Sequence, residues 1–207
     1  LQNPEDVFSA ITLDQLEAAA TSDTLVTIAD EASRDAGTIT TEGTDGWLTY
    51  EFSATRVRDF TWTSSNVQRW DATSAEVVNQ IWPQEEDSAD EEEDADAEDR
   101  ANEDAGRSAL EPIVDGTRRV LIHSFWREDV APLWSEQWLY GKQAIEFHSG
   151  YTGYSYPWSH MTSVEGMDII EGGMESPMMT VIGAYQDQEP SDLYNVTAHE
   201  IGHMWIP

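Results

Sequence analysis

The chain has 207 residues, 41 of them acidic against ten basic, for a formal charge of -31; 39% are hydrophobic, with nine Trp, seven Tyr, five Phe and no Cys. That length suits one large domain or two small ones, and the aromatic content is too high for a chain kept unfolded by its charge. With no basic patch, no thiol and no long apolar run, the sequence argues against nucleic acid as a partner, disulfides, thiolate metal ligands and a membrane span.

Residues 1–22 place Phe8, Ile11, Leu16 and Ala19 near helical spacing, with Thr12 as the cap, and predict a short helix. From Thr24 the texture becomes T-L-V-T-I, G-T-I-T-T-E-G, G-W-L-T-Y-E-F-S-A and D-F-T-W-T-S-S. Thr-rich alternation broken by Gly and Asp predicts strands and hairpins, closing near Trp82 and Pro83. A low-complexity acidic run then extends from Glu85 to about Gly106 with no apolar side chain larger than alanine, and reads as a solvated linker or insertion. Removing its acids still leaves a large acidic surplus, and Lys142 is the only lysine. The skew predicts a halophile-like surface that stays hydrated in concentrated salt, where the Debye length is about 3 Å at 1 M and self-repulsion is screened. Such a surface suits a salt-rich cytoplasm and an extracytoplasmic brine equally.

Beyond the insertion, R-R-V-L-I-H-S-F-W (118–126) alternates as a strand, and 131–148 places Leu133, Trp134, Trp138, Ile145 and Phe147 along a helix despite Gly141. G-Y-T-G-Y-S-Y-P-W reads as an aromatic turn, M-T-S-V-E-G and M-M-T-V-I-G as strands, and 193–205 as a helix entered through Ser191 or Asp192. The expected division is 1–82, the C-terminal part of a β-rich domain; 83–116, the acidic linker; and 117–207, an α/β layer.

The last helix contains A-H-E-I-G-H-M-W, in which His199, Glu200 and His203 spell H-E-x-x-H. Positions i and i+4 share a helix face, so the two imidazoles can reach one zinc ion at about 2.0–2.1 Å. Glu200 projects beside such an ion, where a carboxylate can take a proton from an attacking water. Upstream lies G-G-M-E-S-P, 172–177, whose paired glycines allow close backbone approach and whose Glu175 sets a carboxylate at one end of a cleft.

Together, G-G-M-E-S-P and A-H-E-I-G-H-M-W resemble the paired signatures G-x-M-E-N and H-E-x-x-H of the M1 family of zinc aminopeptidases. V-R-D-F-T-W-T-S-S-N-V-Q-R-W-D-A-T resembles the end of that family's N-terminal β-domain. Y-S-Y-P-W-S-H-M-T-S-V-E-G resembles the strand region before its exopeptidase motif. The resemblance implies an α+β fold, the end of an N-terminal β-domain followed by the first part of a thermolysin-like α/β catalytic domain. It implies one Zn²⁺ held by His199 and His203, with Glu200 as general base for attack by zinc-hydroxide. It also implies that Gly172, Gly173, Met174 and Glu175 bind substrate, Glu175 holding the free α-amine of a peptide. Ser176 stands where the stricter motif has Asn. The family's third zinc ligand, a Glu, and its transition-state tyrosine would both follow Pro207, so the chain reads as the N-terminal part of such an enzyme, weakly active or inactive by itself. Two other readings are a zinc endopeptidase of the same ligand class, and a non-catalytic binding module that works through its acidic surface.

Overall fold

The computed structural model describes residues 1–35, 37–55, 57–81, 112–167, 169 and 171–206. Two long strands, β2 (Arg69–Ile81) and β3 (Ile113–Trp126), pair antiparallel along their length and form the middle of the molecule. Around them a six-stranded mixed sheet is ordered β1-β2-β3-β4-β6-β5, with β1 Val26–Ala29, β4 His160–Glu165, β5 Gly173–Ser176 and β6 Met179–Ile182. The pairs β3/β4 and β4/β6 are parallel, and β5 returns antiparallel along β6 as the edge.

Four helices complete the described fold: α1 (Pro4–Val7), α2 (Ala10–Thr21), α3 (Gln137–Thr152) and α4 (Pro190–Gly202). Successive strand residues face opposite sides, so the central strands feed two cores. On one side Trp70 and Ala72 of β2 meet Ala19 of α2 and Ile28 of β1. On the other, Ala75, Val77, Val120 and Ile122 pack under Ala144 and Ile145 of α3 and Ile201 of α4. Gly141 makes the second contact possible, because a Cβ there would come within 3.0 Å of Ile122 Cγ2. A buried carboxylate, Asp71, ties the central strands together. It accepts from Arg69 Nε at 2.9 Å, Trp126 Nε1 at 2.9 Å and Thr27 Oγ1 at 3.0 Å. Lys142, the only lysine, is bound to the Ser74 carbonyl at 2.8 Å and to Glu146 at 2.8 Å.

Several local expectations change. Ser9, not Thr12, caps α2, accepting from the Thr12 N–H at 3.2 Å, because the Thr12 hydroxyl is committed to the Ile39 carbonyl at 2.8 Å. Among the described residues of the stretch between Gly37 and Ser65 the expected strands do not form, and there are only the isolated bridges Phe8 to Thr40 and Thr44 to Trp47. Its alternating residues have no neighbouring strand to complete a ladder, and alternation alone supplies no partner. The expected helix over 131–148 is a 3₁₀ turn, Pro132–Glu136, followed by α3. The last helix starts earlier than expected: Glu189 is its N-cap, with Asp192 in the reciprocal third position. The acidic run lies outside the described residues, and β2 and β3, from either side of it, are direct neighbours in one sheet. The coarse α+β class agrees with this mixed sheet and its helices. No described helix is long and apolar enough to cross a membrane.

Candidate functional site

Helix α4 crosses beneath the β5 edge, and the two bring the expected residues of both motifs together. His199 and His203 stack edge to face with ring centroids 4.7 Å apart, as residues one turn apart must. Their Nε2 atoms are 3.2 Å apart. His203 Nδ1 lies 2.9 Å from the Ile206 carbonyl, which can only accept, so Nδ1 carries the proton and Nε2 presents a bare lone pair. Fixing a tautomer through the far ring nitrogen is how a metal-binding imidazole is oriented. Two nitrogens at that separation, each about 2.05 Å from a shared ion, subtend an angle of about 100°, close to tetrahedral.

Glu200 turns from the exposed His199 into the interior and is only 5% exposed. Its carboxyl is pushed above the ordinary carboxylate range by burial, against the pull of the two histidines and with the help of Glu175. Oε2 is buried without a hydrogen-bond partner. The carboxylate fits only because Gly173 has no side chain: a Cβ there would lie 2.5 Å from Glu200 Cδ and 2.7 Å from Oε1.

Glu175 comes from β5, and its donor atom, one from Glu200 and one from His203 all lie within 4.8 Å of one another. Two residues from the irregular 30–68 stretch also reach this strand. Thr61 Oγ1 donates to Ser176 Oγ at 2.9 Å, and the Arg58 guanidinium is 3.7 Å from Glu175 Oε1. Sequence reasoning misses both. Tyr185 is a third such residue: buried, with a backbone φ of 50°, it accepts from the Gly172 N–H at 2.9 Å. The Gly172 carbonyl accepts from Gly183 N at 2.9 Å, so both backbone groups of Gly172 are used within the chain. Antiparallel alternation then turns the backbone groups of Gly173 and Glu175 outward to the free edge. Met174 projects to solvent, 61% exposed.

An open cleft of about 580 Å³ adjoins His199, walled by Glu171, Tyr185, Asp192, Asn195 and Val196. The arrangement therefore offers two imidazole donors, two carboxylates, a free strand edge and an adjoining cleft. Neither a protein-family model nor a curated protein matches the chain.

Proposed function

We propose that the chain carries the zinc-binding helix and the peptide-binding strand of an M1-like zinc aminopeptidase, with 117–207 as the start of a thermolysin-like catalytic unit behind the end of a β-domain. The observation that carries this reading is the histidine pair: two Nε2 atoms 3.2 Å apart, one with its lone pair fixed by the Ile206 carbonyl. Zinc bound there supplies Lewis acidity that polarises a scissile carbonyl and acidifies an attacking water.

The remaining chemistry belongs to the chain's own residues. The outward backbone groups of Gly173 and Glu175 can pair with an extended peptide as an added strand, which fixes the peptide's register over α4. Glu175 accepts from the peptide's α-ammonium, a charge-assisted contact that an internal peptide segment cannot make. Glu200, with burial raising its affinity for a proton, takes one from the attacking water and returns it to the departing amine. The cleft beside His199 receives a substrate side chain.

The test combines metal content with hydrolysis. The zinc-loaded protein should cleave an aminoacyl reporter in preference to its N-acetyl counterpart. Glu175→Gln should erase that preference, and Glu200→Gln should cut turnover by about 10²–10⁴-fold, the usual worth of a general base. Stoichiometric zinc binding that survives His199→Asn would refute the assignment of the pair, and equal cleavage of free and acetylated reporters would favour the endopeptidase alternative.

A further inference from the structure

We propose that Ser124, Ser163 and Gln137 hold ordered water in a sealed hydration site between the sheet and helices α3 and α4. The proposal does not depend on the zinc reading.

A polar row crosses the sheet on the face that carries α3 and α4. Register partners on neighbouring strands share a face, and Thr27 with Asp71, Asp71 with Ser124, Ser124 with Ser163, and Ser163 with Thr180 line up across five strands. Asp71, Ser124, Ser163 and Thr180 are all buried. The ends of the row are closed within the chain, Asp71 by Arg69, Trp126 and Thr27, and the Thr180 hydroxyl by the Met174 carbonyl at 3.2 Å. The middle is different. Ser124 Oγ and Ser163 Oγ are buried with no hydrogen-bond partner among the described residues.

The helices set a second polar pair over this row. Ser124 separates Ile122 from Trp126 on one face of β3, Gln137 separates Trp134 from Ala144 along the 3₁₀ turn and α3, and Thr197 separates Leu193 from Ile201 on one stripe of α4. Ile122, Ala144 and Ile201 belong to one apolar cluster, and Trp126, Trp134 and Leu193 to another. The polar residues therefore share one layer between the two clusters. Gln137 Oε1 accepts from Thr197 Oγ1 at 3.0 Å, while Nε2 is buried without a partner among the described residues. A further atom of this kind, Glu200 Oε2, belongs to the site already described.

What fills the layer follows from its donors and acceptors. Ser124 and Ser163 sit opposite each other on strands about 4.8 Å apart, a span that one water with bonds of about 2.8 Å to each hydroxyl can bridge. Accepting from Gln137 Nε2 as well gives that water about three bonds, the usual number for a buried one. A metal cation does not suit the site, because the amide N–H groups can only donate. An apolar void stays dry, whereas two hydroxyls and an amide left without partners cost more than ordering a water among them.

The test uses the 207-residue chain without metal. Magnetic relaxation dispersion of the solvent deuterons detects waters held inside a protein, and wild type should show one that the Ser124→Ala, Ser163→Ala double variant loses. Urea denaturation supplies the sign that separates a hydrated layer from a dry one. A hydroxyl bonded to water stabilises, so each single substitution should lower the midpoint, whereas deleting an unsatisfied buried hydroxyl should raise it or leave it unchanged. Wild type without a long-lived water, a dispersion signal unchanged in the double variant, or a midpoint not lowered in either single variant overturns the proposal. Zinc enters none of these readings, so either result leaves the metal assignment where it stands.

Discussion

Gly173→Ala is the sharpest probe of the packing between β5 and α4. The added Cβ would sit 2.5 Å from Glu200 Cδ and 2.6 Å from Cγ. Ordinary carbon contacts are about 3.5–4.0 Å, so strand or side chain must yield by about 1 Å. Overpacking of this kind costs about 1–3 kcal/mol. Glu200→Ala alone should be neutral or stabilising, because it removes a buried carboxylate with an unpaired oxygen. Combined with Gly173→Ala it also removes the atoms the new methyl strikes, so the pair should couple favourably, by about 0.5–3 kcal/mol in a double-mutant cycle. Urea denaturation of the four proteins measures this directly. Gly172→Ala is the control: with φ at 83° and nothing within 4 Å of its Cβ, it should lose about 1–2 kcal/mol to backbone strain and show no coupling to Glu200→Ala. Additive effects of the substitutions at positions 173 and 200 would falsify the contact.

Three further outcomes follow from other parts of the structure. Burial, with His160 acting in the same direction, depresses His123 from 6.5 to about 3, and its Nδ1 accepts from Trp70 Nε1 at 3.0 Å. The unfolded chain therefore binds the extra proton between about pH 6.5 and 3, so stability present above 6.5 is lost as pH falls, by up to about 1.4 kcal/mol per pH unit. His123→Asn keeps an acceptor for Trp70 and should flatten the dependence of urea midpoints on pH between 7 and 4; an unchanged slope would exclude His123 as its source. Asp71→Ala should destabilise by about 1–3 kcal/mol, because it leaves the buried Trp126 Nε1 unpaired while Arg69 keeps Glu128; a loss below about 0.5 kcal/mol in chemical denaturation would contradict that network. Arg58→Ala should destabilise by no more than about 1 kcal/mol at low salt, the worth of an exposed ion pair, and the difference should vanish near 1 M salt in urea denaturation.

The parts of this molecule legible in the sequence are those whose partners lie nearby in the chain. The α4 helix and the one-turn spacing of His199 and His203 follow from local periodicity, and β2, β3, β4 and β6 fall within stretches of apolar alternation. Gly173 reads in the sequence as a backbone that lets a ligand approach, whereas in the fold its missing side chain makes room for Glu200, 27 positions later. Arg58 and Thr61 are illegible for the same reason: they belong to a segment with no regular structure, and only long-range folding carries them to β5. The Thr-rich alternation of 37–65 misleads because strand propensity measures fit to a sheet, and the sheet's β1 edge is already completed by Val26–Ala29.

The two halves of the site also differ in how firmly they are held, and that difference decides what each can do. Helix α4 is fixed to α3 through His148 Nε2, which donates to the Ala198 carbonyl at 2.9 Å, and through Thr197 Oγ1, 3.0 Å from Gln137 Oε1. Just past its end, Trp205 Nε1 donates to the Tyr154 carbonyl at 2.6 Å. These contacts bracket His199 and His203 and hold the two nitrogens in place before any ligand arrives. Glu175 rides instead on a four-residue edge strand, steadied by β6, by the Thr61 hydroxyl and by a half-exposed arginine. The imidazole pair is thus carried by a packed helix, whereas the β5 carboxylate is carried by a short edge strand with fewer restraints.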